Sequence, residues 1–384
     1  MIIPARRTQQ VRPFRVMDVI SRAAALERQG RDLCHLEVGE PDFATAPAII
    51  EAGRQALASG HTGYTEAAGL PALRERIAEW YRQRHGVTVD PGRIFVTPGA
   101  SGGLNLAAQL LHNPGDGVLL PDPGYPCNRN FLALAGADPQ LVRLDPGAGW
   151  ALTPKELELA RRDNSRALWL ASPANPTGAV MDRPALQRVV EWCSQHGITI
   201  LSDEIYHGLE FGERPASILE VESGALVVNS FSKYFGMTGW RIGWLVVPEC
   251  LIEATNRLAQ NLFISAPTVA QHAALRALDE DVREVLEERR SAFRQRRDFL
   301  AAELPGLGFE LPSTGQGAFY LYAGLGHAGE HSEGFCQRVL DGKGVALTPG
   351  TDFSTFTGAD HVRFAFTTGM ERLEMAVERL RGAL

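Results

Sequence analysis

Short apolar runs that alternate with amphipathic helical patterns are the feature of this sequence that most restricts its fold. The runs are rich in Val, Ile, Leu and Trp, and Pro, Gly, Ser or Asp residues end them. They begin at Ile94, Gly117, Ala167, Ile198, Ala225 and Ile242. Continuous apolar runs of this kind are typical of strands covered on both faces, as in a parallel sheet.

Helical patterns occupy the segments between the runs. Leu73, Ile77 and Tyr81 recur at helical spacing, and Gly86 follows as a helix-ending residue. Pro184 opens another such segment, because proline suits the first turn of a helix. This alternation predicts an α/β fold in which a large domain has a mostly parallel sheet sandwiched by helices, with right-handed crossovers.

The pattern changes near Asp279, where a long, charged helical segment begins. Short strand-like and helical segments then follow one another to the C-terminus, which predicts a smaller α+β domain. The first 45 or so residues are too few for a core of their own, so we expect them to pack on this C-terminal unit. The predicted large domain is therefore residues 46–280, and the predicted small domain combines residues 1–45 and 281–384.

Composition excludes several classes of protein. The 384 residues carry a net charge of −7, whereas a nucleic-acid binder usually shows a concentrated basic surface. The sequence has no secretory signal and no apolar run of about 18 residues, the length that a membrane helix needs. The five cysteines form no CxxC pair, which favours reduced thiols in a cytoplasmic protein without a disulfide framework or a zinc site. His327 and His331 lie in a Gly-rich, acidic segment, which favours a solvent loop over a metal site.

Polar residues are concentrated where the predicted strands end. Residues 98–103 form a small-residue turn before a helix, a geometry that presents backbone N–H groups to an anion. Asn175 follows the third run, and Asp203 follows the fourth. Lys233 comes after the fifth run, and Arg241 lies eight residues beyond it. Because ligands bind at the carboxyl ends of parallel strands, we expect these side chains to meet in one site.

Together these residue types match the needs of pyridoxal phosphate. This cofactor requires a lysine for a Schiff base, a carboxylate beside its pyridine nitrogen and donors for its phosphate. Lys233 is the only lysine between Lys155 and Lys343, so no other lysine in that segment competes for the role. Any one of these residues alone is better explained as a turn, a cap, a surface residue or an ion pair; only their combination indicates the cofactor.

The ordered motifs SPANPTG, SDEIY and SFSKYFGMTGWRIGW resemble those of the class I/II pyridoxal-phosphate aminotransferases of fold type I. The resemblance extends from Val38 in VGEPDF to Val362 in VRFAFTTG. It implies an enzyme that exchanges an amino group between an L-amino acid and a 2-oxo acid, either 2-oxoglutarate or pyruvate, by a ping-pong mechanism through Lys233. Tyr64 resembles the tyrosine that reaches the cofactor phosphate of a neighbouring subunit, which implies a homodimer with shared active sites.

The resemblance also implies a role for each matching residue. Lys233 would form the Schiff base and move the substrate's α-proton, Asp203 would face the ring nitrogen, and Tyr206 would complete the catalytic group by bonding to the ring's phenolic oxygen. The residues that would contact the cofactor are Tyr64, Ala100, Ser101, Tyr125, Asn175, Asp203, Tyr206, Ser230, Lys233 and Arg241. The residues that would contact the substrate are Gly39, Asn175 and Arg363, the last of which would bind the α-carboxylate.

One departure from the family bears on the substrate. Some aspartate-specific members carry a lysine where this chain has Ser101, so the motif does not favour aspartate. Arg12, Arg15 or Arg129 could still supply a cation from elsewhere. β-Elimination of the C–S lyase type on the same scaffold remains an alternative. A non-catalytic, effector-binding regulator is a more remote one, since the N-terminus is too short for a helix-turn-helix module.

Overall fold

A computed structural model describes residues 2–326 and 329–384 of the chain. The helices are α1 (Arg15–Glu27), α2 (Pro47–Ala58), α3 (Pro71–His85), α4 (Gly99–Leu111), α5 (Pro126–Ala135), α6 (Pro154–Ala160), α7 (Arg183–Gln195), α8 (Ile252–Leu262), α9 (Thr268–Ala277), α10 (Glu280–Glu303), α11 (Ser332–Lys343) and α12 (Met370–Leu380). The strands are β1 (Cys34–His35), β2 (Ile94–Thr97), β3 (Gly117–Asp122), β4 (Asp138–Arg143), β5 (Ser165–Ala171), β6 (Thr199–Asp203), β7 (Leu226–Ser230), β8 (Gly243–Val246), β9 (Tyr320–Gly324), β10 (Val345–Ala346), β11 (Thr348–Pro349) and β12 (His361–Ala365).

The main sheet contains seven strands in the order β2-β8-β7-β6-β5-β3-β4. Strands β7, β6, β5, β3 and β4 pair in parallel, whereas β8 runs antiparallel to both of its neighbours. Each of the six apolar runs of the sequence coincides with a strand of this sheet. The prediction of a mostly parallel sheet within an α/β fold is therefore confirmed.

Two separate apolar clusters explain why these strands are apolar throughout. Val227 and Val228 are neighbours on β7, yet they belong to different clusters because successive side chains of a strand point to opposite faces. Helices α3 and α7 supply Ile77 and Val189 to one cluster. Helix α4 supplies Leu104 to the other, together with residues of α5 and α8. Helices thus cover both faces of the sheet, and no strand face is left for an alternating polar pattern.

Strand β4 is the part of the main sheet that the apolar-run pattern missed. Its sequence, DPQLVR, contains a proline and three polar or charged residues. It lies at the edge beside β3, where Pro139 is tolerated because an edge strand has one unpaired side. Half-exposed edge strands need no continuous apolar run, so the pattern used for the inner strands does not detect them.

The C-terminal part of the chain forms smaller sheets. Strands β11, β12 and β9 make an antiparallel sheet, and β1 from the N-terminal segment pairs in parallel with β10. Cys34 stands opposite Val345 in that pair. The division into residues 46–280 and a unit made of both chain ends remains our proposal, and the pairing of β1 with β10 supports its N-terminal part.

The sequence also predicted a solvent loop, not a metal site, at His327 and His331, and no helix that crosses a membrane. His327 lies outside the described residues, and His331 precedes α11, where its Nδ1 accepts a hydrogen bond from the Glu333 amide at 3.4 Å. Among the residues that the structure describes, no helix has both the length and the apolarity needed to cross a bilayer.

A buried hydrogen bond between helix α3 and strand β8 gives a stability prediction. The indole Nε1–H of Trp244 donates to the Tyr81 hydroxyl at 3.1 Å, and both side chains are fully buried. We expect Tyr81→Phe to lower the free energy of unfolding by about 1–3 kcal/mol, because it leaves a buried donor without a partner. Denaturant unfolding measures the loss. In a Trp244→Phe background the same change should cost much less, and equal costs in both backgrounds would contradict this account.

Candidate active site

A cavity of about 310 Å³ opens where β5, β6 and β7 end. The sequence placed Asn175, Asp203 and Lys233 at or just after the ends of these strands, and most of the candidate residues line this cavity. Those that do are Gly39, Ala100, Ser101, Tyr125, Asn175, Asp203, Tyr206, Lys233, Arg241 and Arg363. Residues far apart in the chain are thus assembled around one space at the carboxyl edge of the sheet.

Lys233 lies in the loop that connects β7 to β8. Its Nζ donates a hydrogen bond to the Gly39 carbonyl at 2.6 Å. Burial, reinforced by the positive charge of Arg363, lowers the pKa of Lys233 to about 8. A substantial fraction of the side chain is therefore a neutral amine near physiological pH, which makes it available as a nucleophile and a base.

Asp203 is the last residue of β6, and its side chain is buried. Its Oδ1 accepts a hydrogen bond from the Ile205 amide at 3.1 Å. Burial raises the pKa of Asp203 to about 6, while the Ile205 amide and the charge of Lys233 oppose that rise. The carboxylate is mostly ionised at pH 7 and can pair with a cationic group in the cavity.

Arg363 projects from β12 and is buried. Its Nη1 donates to Asn175 Oδ1 at 3.1 Å, and its Nη2 donates to the Glu37 carbonyl at 2.6 Å. The guanidinium carbon lies 4.2 Å from the centre of the Tyr320 ring and 4.6 Å from that of Phe353. Its Nε has no hydrogen-bond partner among the described residues. The guanidinium is held in place, yet its donors are not all used by the protein.

A helix start and an arginine form a cradle for an anion. Helix α4 begins at Gly99, which has φ +69°, and Ala100 and Ser101 occupy its first turn. A Cβ at position 99 would lie 2.6 Å from Nη2 of Arg241. Glycine is therefore favoured here by its backbone conformation, and it also allows the close approach of the guanidinium. Free N–H groups of a helix start beside an arginine suit a phosphate.

Two candidates from the sequence do not line the cavity. Ser230 is buried at the end of β7, and its hydroxyl donates to the Ile242 carbonyl at 3.1 Å. The Tyr64 side chain is 83% exposed. In this single chain, Ser230 lies behind the site and Tyr64 faces away into solvent.

Several residues of the cavity were missed by the sequence reasoning. Tyr320 lies between two of the predicted residues, since its hydroxyl is 3.0 Å from that of Tyr206 and its ring faces Arg363. Glu40 and Thr238 are hydrogen-bonded to each other at the cavity wall. Tyr320 belongs to an apolar strand of the small sheets, and nothing in that local pattern distinguishes a site residue from a core residue.

These residues fit pyridoxal phosphate. The lysine amine is partly neutral, a carboxylate lines the same cavity, and the start of α4 with Arg241 forms a cradle that a Cβ would fill. The aromatic ring of Tyr125 adds a flat wall. A mostly parallel sheet with this set at its carboxyl edge defines a pyridoxal-phosphate enzyme of fold type I.

Comparison with known proteins identifies the family. The sequence model of "Aminotransferase class I and II" matches residues 31–380. The valine–pyruvate aminotransferase of Mycobacterium tuberculosis is 37% identical over 96% of both chains. The aspartate/prephenate aminotransferase of Thermus thermophilus is 36% identical over 99% of this chain and 98% of its own. The structure of the Thermus thermophilus aspartate aminotransferase with maleate superimposes with a TM-score of 0.95 at 35% identity and covers 100% of both chains.

The chain belongs to the class I and II aminotransferases. It is a pyridoxal-phosphate-dependent enzyme that catalyses transamination, as the resemblance of its motifs implied. The comparisons do not favour β-elimination as the alternative reaction.

The charge of Arg363 gives a pH prediction. Because this charge contributes to the lowered pKa of Lys233, Arg363→Gln should raise that pKa. Only the neutral amine reacts with the cofactor's aldehyde. The rate at which cofactor-free protein takes up pyridoxal phosphate, followed by its visible absorbance, should therefore rise around pH 8 in the natural chain and at higher pH in the variant. Arg12→Gln, at an exposed arginine, is the control, and an unchanged midpoint in Arg363→Gln would contradict the coupling.

The contact between Gly39 and Tyr320 gives a second prediction. A Cβ at position 39 would lie 2.2 Å from the Tyr320 hydroxyl oxygen, but 3.2 Å from the ring carbon that bears it. Gly39→Ala should therefore displace the segment that accepts the Lys233 hydrogen bond and sharply reduce turnover. Removing the hydroxyl relieves most of the overlap, so Gly39→Ala/Tyr320→Phe should be more active than Gly39→Ala alone. Steady-state kinetics with Tyr320→Phe as the reference checks this, and a double variant no better than Gly39→Ala would refute it.

Proposed function

We propose that Lys233, Asp203 and Arg363 divide the work of a ping-pong transamination between an L-amino acid and 2-oxoglutarate or pyruvate. The observation that carries this assignment is their common placement. The three charged side chains come from three distant segments and line one cavity, together with Asn175 and Tyr206.

The cofactor would be held by residues around that cavity. When bound, pyridoxal phosphate supplies a carbonyl that accepts the amino group and a ring that spreads negative charge. Lys233 would hold it covalently, and Asp203 would face its ring nitrogen. The phosphate would lie at the start of α4, with Arg241 beside it and Ser230 behind. The remaining proposed contacts are Tyr125 on the ring face and Asn175 and Tyr206 at the ring oxygen.

Lys233 would act as the base. Its amine, freed when the substrate's amino group takes its place, would remove the proton from the substrate's α-carbon and would deliver it to the cofactor carbon that carried the aldehyde, not back to the α-carbon. A pKa of about 8 suits this task, because a useful fraction of the amine is neutral at working pH and its conjugate acid still gives up a proton readily. The Gly39 carbonyl, 2.6 Å away, would fix the orientation of the amine.

Arg363 would bind the substrate's α-carboxylate. A planar guanidinium can donate two parallel hydrogen bonds to a carboxylate, and each bond to a charged group contributes about 1.5–3 kcal/mol. Asn175 and the Glu37 carbonyl hold the guanidinium and thereby position the bound carboxylate. This contact would hold the substrate's α-carbon near the Lys233 amine, so that binding of the carboxylate also orients the substrate for reaction.

Assembly and cellular location are also proposals. We propose a homodimer in which Tyr64 reaches the partner's site. In support, Thr268 donates to the Gly63 carbonyl at 2.6 Å, which places Tyr64 beside the start of α9, and the exposed apolar side chains of Leu262 and Ile264 precede that helix. The five cysteines, none of them paired, support a cytoplasmic location.

Asp203→Asn tests the electrostatic role. An amide cannot carry the negative charge that faces the ring nitrogen, so we expect the half-reaction with an amino acid to slow by roughly 100-fold or more, the scale of losing one preorganised electrostatic partner. The cofactor should still bind. Rapid-mixing absorbance measurements follow the half-reaction directly.

Glu204→Gln is the matched control for this test. Glu204 is also buried, but its carboxylate accepts hydrogen bonds from Ser217 and Ile218, outside the cavity. It should alter stability more than the half-reaction. If Asp203→Asn kept the natural rate, or if Glu204→Gln slowed the half-reaction equally, the assignment of Asp203 would be wrong.

A further inference from the structure

The charges that line the cavity restrict the substrate's side chain. Under the proposed function, Lys233, Asp203, Arg241 and Arg363 are already engaged by the cofactor and the α-carboxylate. Glu40 is the charged residue left among the described residues that line the cavity, and it is an anion. A second carboxylate on the substrate would therefore meet repulsion here and no uncommitted cation.

The arginines that could have supplied a cation are directed elsewhere. The Arg15 guanidinium is paired with Glu333 at 3.3 Å, and the Arg12 side chain is exposed. Arg129 donates through Nη2 to the Asp352 carbonyl at 3.0 Å, and its Nη1 has no partner among the described residues, but the side chain lines a neighbouring cavity of about 510 Å³. None of the three lines the cavity that contains Lys233.

Helix α1 and the residue before it supply an apolar wall. Phe14, Val16, Met17 and Ile20 all line the cavity. The Phe14 ring meets that of Tyr125 edge to face, with ring centres 6.3 Å apart. The wall is thus continuous with the aromatic face proposed to cover the cofactor, and a substrate side chain leaving the α-carbon on this side would contact hydrocarbon.

Asp352 holds this wall in place from the other end of the chain. Helix α1 has no side-chain cap of its own, since Phe14 stands at its start. The buried Asp352 carboxylate instead accepts hydrogen bonds from the Arg15 amide at 3.0 Å and the Val16 amide at 3.3 Å. A carboxylate at a helix start satisfies free N–H groups and complements the helix dipole. The next residue, Phe353, packs on Arg363. Two neighbouring residues therefore position both the apolar wall and the arginine proposed to bind the α-carboxylate.

We infer that helix α1, positioned by Asp352, recognises the substrate's side chain and selects an amino acid whose side chain is uncharged and apolar. The inference rests on the proposed function of the same cavity and adds the substrate class to it. Because both half-reactions use this cavity, it also selects pyruvate over 2-oxoglutarate as the acceptor, since 2-oxoglutarate carries a second carboxylate. Asp352 is a positioning residue, because it acts on the substrate through α1. Alanine is the internal reference, since its methyl group is too short to gain much from the wall.

A panel of half-reactions with the holoenzyme tests the substrate class. Leucine, phenylalanine, alanine, aspartate and glutamate are mixed separately with the enzyme, and cofactor absorbance gives each second-order rate constant. We expect leucine or phenylalanine to exceed aspartate and glutamate by roughly 100-fold or more, the scale on which a missing charge partner discriminates. Faster reaction with aspartate or glutamate would overturn the inference but leave transamination intact. Reaction with no amino acid would overturn the proposed function as well.

Two variants test the wall itself. Met17→Lys places a cation at a half-exposed wall position and should raise the rate with aspartate relative to leucine by roughly tenfold. Asp352→Ala should reduce the rates with leucine and phenylalanine by roughly tenfold, the effect of losing a helix cap, and change alanine little. Asp352→Asn keeps an acceptor oxygen and should recover part of the loss.

Asp18→Asn is the control, because Asp18 is an exposed acid on the same helix that does not line the cavity. It should leave every rate unchanged. A purely structural role of Asp352 would lower all five rates together, and that result would overturn the positioning role. An unchanged aspartate-to-leucine ratio in Met17→Lys would show that α1 does not face the side chain.

Discussion

The site depends on holding two cations, the Lys233 amine and the Arg363 guanidinium, in one partly enclosed cavity. Like charges in a low dielectric disfavour each other, and here the group that can lose its proton responds: burial and Arg363 lower the pKa of Lys233 to about 8. The Arg363 guanidinium is held in place by three oxygen acceptors and two aromatic rings. Arg363, which is proposed to bind the substrate's carboxylate, therefore also increases the fraction of Lys233 that is a neutral amine. Its positive charge thus contributes both to substrate binding and to the reactivity of the lysine.

The sequence could predict the interior of the main sheet because burial on both faces leaves a strong local signal. Val227 and Val228 enter different clusters, so the strand must be apolar at every position. The same logic located Asn175, Asp203 and Lys233, because polar residues directly after such strands must lie at the carboxyl edge. Strand β4 is an edge strand with only partial burial, and its pattern carries no comparable signal.

Residues that reach the cavity across the fold could not be predicted in this way. Tyr320 and Asp352 matter through contacts with segments about 280 and 340 positions away in the chain, at Gly39 and at the start of α1. Nothing in their local sequence specifies those partners. Tyr64 is the opposite case, because its motif suggested a site role although its side chain is exposed in the single chain. Local patterns thus predict residues at strand ends better than residues whose role arises from tertiary packing.

The carboxylate site is, finally, a product of both chain ends. The Glu37 carbonyl accepts hydrogen bonds from Arg363 at 2.6 Å and from the Thr348 hydroxyl at 3.1 Å. Residue 37 is brought there by the pairing of β1 with β10, which joins segments some 310 positions apart. Closing so long a loop carries an entropic cost, which the packing of the rest of the chain must offset. The position of the arginine proposed to recognise the substrate therefore depends on contacts from both ends of the chain.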